Sequence, residues 1–163
     1  LAKAGGLSNE LQIEARYAGL MHDLGKIGLP ESVLNKPAKL DPFEAKRMMG
    51  HPAWGEHILR PLAHLPLVEK ILPAVRSHHE RYDGAGYPDG LSGEKIPLIA
   101  RIIAIVDTVD AMTQTRAYRK GLAIEIAYGE IARCSGTQFD PNWAQIYLDS
   151  KKYFAADETK KAA

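Results

Sequence analysis

Two neighbouring side chains set the chemical question. His22 and Asp23 stand in the run Leu20-Met21-His22-Asp23-Leu24-Gly25-Lys26-Ile27-Gly28, an imidazole and a carboxylate in mostly apolar surroundings with a lysine four positions after the histidine. An isolated buried carboxylate is costly enough that it neutralises, pairs or coordinates a metal, and imidazole nitrogen and carboxylate oxygen both suit first-row divalent ions. Taken alone, the dipeptide is more simply read as an Asp capping a turn beside a His filling a core gap. The chain supplies more donors in similar settings: His51 before Pro52, the pair His78-His79, and Asp107 inside a long apolar run. His22, Asp23, His51, His78, His79 and Asp107 come from four separate segments, and a convergent metal site accounts for all of them together. His57 and His64 lack that context and read as surface or packing residues.

The elements that must position these donors are helical. Leu1 to Gly6 reads as the end of a helix closed by Gly5-Gly6, so the chain is expected to begin inside an element. Ser8 is an N-cap candidate, with Leu11, Ala15, Ala18 and Met21 or His22 at helical spacing, which places His22-Asp23 at a helix end closed by Gly25. Pro30 and Pro37 mark a connector with one short turn at Glu31 to Leu34. Asp41-Pro42-Phe43-Glu44 announces the next helix with cap, proline and capping-box Glu. After Gly50, Pro52 is expected at the first position of a new helix whose apolar stripe is Trp54, Ile58, Leu59 and Leu62. Pro66 and Pro73 are expected to break the chain, leaving a short helix from Ala74 to Glu80 that delivers His78 and His79.

Residues 82–97 gather Gly84, Gly86, Gly90, Gly93, Pro88 and Pro97, which suits a loop and no helix or strand interior. From Leu98 to about Thr115 the chain is apolar almost all round, as a central buried helix is, and Asp107 and Asp110 interrupt it. A further amphipathic helix runs through Ile124, Ala127, Ile131 and Cys134, and Asp140-Pro141 opens a last one carrying Trp143, Ile146 and Tyr147. With no hairpin signal and no sustained alternation, the fold class is all-α. Residues 1–154 make one domain and 155–163 a frayed tail.

Composition narrows the function classes. The chain has 163 residues, long enough for a full core without staples. Its 21 Lys and Arg against 20 Asp and Glu give a formal net charge of +1, so no global field recruits nucleic acid or an anionic membrane. Cys134 is the only cysteine, which excludes an internal disulfide and fits a small buried hydrophobe in a reducing compartment. No apolar run is long enough to suggest a membrane span. The reading is a soluble cytoplasmic domain without polymeric nucleic acid or membrane as partner.

At this point a family resemblance becomes visible. His22-Asp23-Leu24-Gly25-Lys26 resembles the signature of HD-domain phosphohydrolases, and His78-His79-Glu80-Arg81-Tyr82-Asp83-Gly84-Ala85-Gly86-Tyr87-Pro88 resembles the extended signature of their HD-GYP subfamily. The similarity continues through Asp107, Asp110-Ala111-Met112-Thr113, Arg116-Ala117-Tyr118-Arg119 and Phe139-Asp140-Pro141. It implies an HD-domain helical bundle with a glycine-rich loop, and hydrolysis of the bacterial second messenger cyclic di-GMP to linear pGpG or on to GMP.

The resemblance also implies two divalent metals, with iron or manganese favoured and zinc or nickel as alternatives. Asp23 would bridge them, His22 and Asp107 would serve one, and His51, His78 and His79 the other. Family members carry a further ligand His on a helix that would precede Leu1. Lys26 would meet a non-bridging phosphate oxygen and act with Asp23 in catalysis. Arg116 and Arg119 would hold the second phosphate through their guanidinium forks, or form a solvated basic turn. The loop at Gly86, Tyr87 and Pro88 supplies positive-φ positions and a stiff proline, and is associated with substrate access and docking to diguanylate cyclase domains. Asp83 and Asp110 would either orient ligand imidazoles or cap loops and pair with arginines. A sensory or receiver domain is expected in the parent protein. Two other readings remain at this level: a non-catalytic cyclic di-GMP sensor or docking module, and another HD-type nucleotide phosphohydrolase.

Overall fold

The structure, a computed structural model, describes residues 1–115 and 120–150. Among these residues the regular elements are helices: α1 Asn9–Met21, α2 Glu31–Leu34, α3 Pro42–Met48, α4 His51–Leu59, α5 Pro66–Ser77, α6 Leu98–Thr113, α7 Ile124–Arg133 and α8 Pro141–Asp149. Three short 3₁₀ turns, at Leu24–Gly28, Arg60–Leu62 and Gly93–Lys95, join them. The described residues hold no strand, only an isolated bridge between Ser135 and Phe139, and none of their helices is long and apolar enough to cross a membrane. The all-α expectation is met.

Local sequence explains most of the ends. Ser8 caps α1 by accepting from Leu11 N at 3.3 Å. Asp41 and Glu44 complete a capping box at α3, with Asp41 N donating to Glu44 Oε2 at 2.8 Å and Glu44 N to Asp41 Oδ1 at 2.9 Å. Asp140 caps α8 and also takes Arg101 Nη1 at 2.6 Å. Ahead of α1, residues 2–6 form a turn in which Gly6 N donates to Lys3 O and Leu7 N to Ala2 O, with Gly6 at φ 72°.

Three expectations are corrected. The chain from Pro66 to Ser77 is one unbroken helix. Pro66 occupies its first position, where an N–H would have no partner anyway, and Pro73 lies on the exposed side while Ile71, Leu72, Ala74 and Val75 are buried. On α4, His51 is the first helical residue and Pro52 the second. The stripe of Trp54, Ile58 and Leu62 faces outward, each at least 36% exposed. The inward face is His51, Pro52, Gly55, Glu56 and Leu59, because the 3₁₀ turn at 24–28 and α5 press against that side. Finally, α1 stops at Met21 and Gly25 belongs to the following 3₁₀ turn rather than closing the helix.

The core forms around α6. Ile99, Ala100 and Ile103 pack with Ala18 of α1 and Ile71 and Ala74 of α5, while Ile102 and Ile105 pack with Ile131, Phe139, Trp143 and Tyr147. A third cluster of Leu59, Leu72 and Val75 ties α4 to α5. The ends of α1 and α5, the start of α4 and the middle of α6 therefore meet in one place. The expected tail, 155–163, lies outside the described residues.

Candidate metal centre

Three imidazoles are aimed by the same device. His22 Nδ1 lies 2.6 Å from Gly19 O, His51 Nδ1 2.7 Å from Met48 O, and His78 Nδ1 2.7 Å from Val75 O, each a carbonyl three residues back in the last turn of α1, α3 and α5. A carbonyl only accepts, so the proton of each neutral ring sits on Nδ1 and Nε2 is left with a lone pair. Those Nε2 atoms point into one space around Asp23. His51 Nε2 is 3.2 Å and His78 Nε2 4.0 Å from Asp23 Oδ1. His22 Nε2 is 3.5 Å from Asp23 Oδ2 and 3.6 Å from Asp107 Oδ1. One donor atom each of Asp23, His51, His78 and His79 lies within 4.8 Å of the others.

Gly25 makes this approach possible. A Cβ there would stand 1.9 Å from His51 O and 2.5 Å from Gly55 N, so only glycine lets the turn carrying Asp23 lie directly on the backbone of α4. The turn also brings Lys26 round, with Nζ 2.5 Å from Asp23 Oδ2 at the half-exposed rim.

The electrostatics identify what the donors fit. Burial, with the neighbouring His79 adding to it, pushes the His78 pKa down to about 3, and burial next to His51 lowers His79 to about 4. Both rings are neutral at physiological pH. His51 Nε2 and His78 Nε2 nevertheless stand 3.1 Å apart, two lone pairs with no proton to share. Burial works against ionising Asp23, but the adjacent His51 ring and the bond from Lys26 outweigh it and hold the carboxyl well below the usual range. Asp107 is treated the same way, burial being outweighed by His22; His22 in turn is raised, since Asp107 and Asp23 overcome its burial. His22 Nε2 and Asp23 Oδ1 are buried without a hydrogen-bond partner. Neutral imidazole lone pairs facing ionised carboxylates make a donor set for a divalent metal, and a shared cation resolves both the lone-pair repulsion and the orphaned atoms.

His79 is oriented differently. Its ring lies 4.2 Å from that of His78 and 5.0 Å from those of His51 and Tyr87, the last inclined at only 30°. Tyr87 N donates to His79 O at 3.2 Å, and Gly86 fits because a Cβ there would lie 2.3 Å from Arg81 N and 2.6 Å from His79 O. Close approach is thus the reason for Gly86; the positive-φ positions of this loop are Gly84, Gly90 and Gly93. Burial, with Asp107 and Asp23 adding to it, drives the Tyr87 phenol up to about 12.

The loop is anchored by residues that sequence reasoning missed. Glu80, buried, accepts from Asp89 N at 2.7 Å and Leu91 N at 3.1 Å. Arg76 grips Asp89 with two bonds of 2.7 and 2.8 Å and reaches Glu56 at 3.1 Å. Glu80 and Asp89 stand inside or next to the quoted signature, so a buried acid in a glycine-rich loop was the available signal. Asp83 turns away from the imidazoles, accepting from Arg81 at 2.6 and 3.1 Å and from Ala85 N at 3.0 Å. Asp110 is exposed and takes Gln114 Nε2 at 3.2 Å. Neither orients a ring, because backbone carbonyls and Tyr87 do that. Pro88 follows in the same loop; Arg116 and Arg119 lie outside the described residues. His57 and His64 are exposed as expected. A cleft of about 390 Å³ opens beside the cluster, its lining including His78, His79, Glu80, Arg81, Asp107 and Gln138.

The HD domain family model matches residues 1–143. The chain is an HD domain of the HD-GYP type. This HD domain is 43% identical over 148 residues to a cyclic di-GMP phosphodiesterase response regulator, RpfG, of Xanthomonas campestris pv. campestris, covering 91% of this chain and 39% of that one. It is 36% identical over 152 residues to a cyclic di-GMP phosphodiesterase of Thermotoga maritima, covering 93% and 41%. It is also 36% identical over 141 residues to a 3'3'-cGAMP-specific phosphodiesterase of Vibrio cholerae, covering 86% and 30%. The chain therefore spans 30–41% of the length of these relatives. A crystal structure of a cyclic GMP-AMP-specific phosphodiesterase of V. cholerae shares the fold, with a TM-score of 0.67 at 22% identity over 90% of this chain and 39% of that one.

Proposed function

We propose that this HD domain hydrolyses cyclic di-GMP to linear pGpG, with the ring opened at a phosphodiester held against the Asp23 cluster. The observation that carries the reading is the junction of that cluster with the cleft: His78, His79 and Asp107 belong to both. The names of the two cyclic di-GMP phosphodiesterases above support the choice of substrate.

Asp23, His51, His78 and His79 would hold one divalent ion, and His22 and Asp107 a second bridged by Asp23, with iron or manganese suiting the mixed nitrogen and oxygen donors and zinc or nickel able to enter. Such ions supply Lewis acidity at phosphorus and bring the pKa of water toward neutrality. The chain's own residues do the rest. Asp23 and Asp107 stay ionised because their partners favour the charged form, so ligation demands no proton release from them. Lys26 Nζ, at the rim beside Asp23 Oδ2, binds a non-bridging phosphate oxygen and offsets charge where the phosphate enters. Arg116 and Arg119 take the second phosphate. Ala104, Ala111 and Met112 give the cleft an apolar side that excludes water from the bound nucleotide.

Full-length protein, loaded with Mn²⁺ or Fe²⁺, should open cyclic di-GMP faster than it cleaves pGpG supplied alone. Turnover of pGpG but not of the cyclic compound would make it another HD-type phosphohydrolase. Tight binding of cyclic di-GMP with no product would make it a sensor.

A further inference from the structure

Arg81 and Gln138 form a stretch of the cleft wall whose free side-chain groups are hydrogen-bond donors. Arg81 carries five N–H groups. Nε donates to Asp83 Oδ1 at 3.1 Å, Nη2 to Asp83 Oδ2 at 2.6 Å, and Nη1 to Gln138 Oε1 at 3.3 Å. Two remain, one on each terminal nitrogen. Gln138 spends its carboxamide oxygen on Arg81, so Nε2 presents two more N–H groups, and these donate to no partner among the described residues. The wall is also fixed in place. Tyr82 N donates to Gln138 O at 3.2 Å and Asp83 N to Thr137 O at 2.8 Å, tying the turn before α8 to the chain that leaves His79.

A surface that offers only donors selects a ligand edge that offers only acceptors. The major-groove edge of guanine presents N7 and O6, both acceptors, and an arginine fork meets that pair with two bonds. Adenine presents N7 beside the N6 amino donor, which would set donor against donor here. Met112, Ala104 and Ala111 line the same cleft, apolar groups suited to the face of a base. At about 390 Å³ the cleft sits near the small end of the ~300–1,000 Å³ usual for ligand sites, room for one nucleotide rather than a whole cyclic dinucleotide. Arg81 follows His79 by two residues, so its Cα lies within about 8 Å of that ligand's Cα, and the base it holds belongs to the nucleotide at the metal cluster.

We propose that Arg81 and Gln138 form a guanine subsite that selects the base next to the phosphodiester under attack. This rests on the phosphodiesterase reading above, and the test has an arm that does not. In the activity arm, full-length wild type and Gln138→Glu are compared on cyclic di-GMP and cyclic di-AMP. The substitution replaces free donors by acceptors while leaving every metal ligand in place. The preference for cyclic di-GMP in kcat/KM should fall by roughly 5- to 150-fold, the range for one well-formed base contact, through KM, with metal content unchanged. In the binding arm, GMP and AMP are titrated calorimetrically into the same two proteins. Wild type should favour GMP and Gln138→Glu should lose that preference. If wild type turns over neither cyclic dinucleotide but keeps the GMP preference, the phosphodiesterase reading fails and the subsite stands. Equal losses for GMP, AMP and inorganic phosphate would assign the fork to a phosphate and overturn the proposal, as would no change in either arm.

Discussion

Replacing Gly25 by alanine should cripple the metal cluster although residue 25 donates nothing to it. The added Cβ would lie 1.9 Å from His51 O and 2.5 Å from Gly55 N, both backbone atoms. Ordinary contact begins near 3.4 Å, so the turn must retreat from α4 by about 1.5 Å. Asp23, two residues upstream on that turn, would be carried from its 3.2 Å approach to His51 to well beyond shared reach. Overpacking of this kind costs about 1–3 kcal/mol, and a domain of this size loses ~2–4 °C in Tm per kcal/mol, so Tm should drop by about 2–12 °C. A displacement of about 1 Å at a reacting centre costs on the order of 10²-fold in rate, and metal affinity should fall with it. Gly28→Ala is the matched control in the same turn, because its Cβ would meet only Trp54 at an ordinary 3.5 Å. Thermal melts with and without Mn²⁺, and metal titration by calorimetry, read both quantities. If Gly25→Ala melts and binds metal as Gly28→Ala does, the close approach of the turn to α4 is not what builds the site.

Tyr87→Ala should weaken metal binding by roughly 10–100-fold, the usual cost of losing a ligand's orienting partner, whereas Tyr87→Phe keeps the ring against His79 and should bind as wild type; equal affinities for all three would remove Tyr87 from the site. Arg116→Ala and Arg119→Ala should raise KM for cyclic di-GMP and leave metal content intact, and loss of ions from either would contradict a phosphate role. Metal titration should give one firm and one weaker site, since Asp23, His51, His78 and His79 supply four donors to the first while the second draws on His22, Asp107 and a shared Asp23; two equal affinities would refute that division. Metal-free protein should lose stability between pH 6.5 and about 4. His78 and His79 have folded pKa values of about 3 and 4, below the unfolded value of about 6.5, so the unfolded chain binds more protons in that window and stability falls as pH falls. A urea midpoint equal at pH 7 and pH 4.5 would show that these rings are not held neutral.

Much of this was legible because the chemistry was written in residue types. His22, Asp23, His51, His78, His79 and Asp107 announced themselves as polar groups at helix ends or in apolar runs, and the structure brings them together. The helices with chemical start signals, at Ser8, Asp41 and Asp140, begin where those signals stand. What misled was punctuation and periodicity read without a partner. Pro73 looked like a break because proline removes a backbone donor, but its outer position on α5 lets buried Leu72 and Val75 hold the helix through it. Trp54, Ile58 and Leu62 looked like an inner stripe because they are apolar, yet α4 turns inward the face that carries His51 and Gly55. Hydropathy cannot see that His51 must face Asp23.

The orientation of the imidazoles was also hidden, for a different reason. Asp83 and Asp110 were the carboxylates in reach along the chain, and carboxylates commonly hold ligand histidines. The structure uses groups that no sequence displays, the carbonyls of Gly19, Met48 and Val75. Each lies in the last turn of a helix, where carbonyls lack intrahelical donors. The i+4 partner of Met48 is Pro52, which has no N–H to give, so its carbonyl is open to His51. A histidine placed three residues after such a carbonyl satisfies the helix end and has its second nitrogen aimed onward. The same backbone ends that needed partners thus orient the imidazoles. Asp107, in the body of α6 where every carbonyl is engaged, reaches the cluster by its own side chain, and His79 beyond the end of α5 relies on the ring of Tyr87.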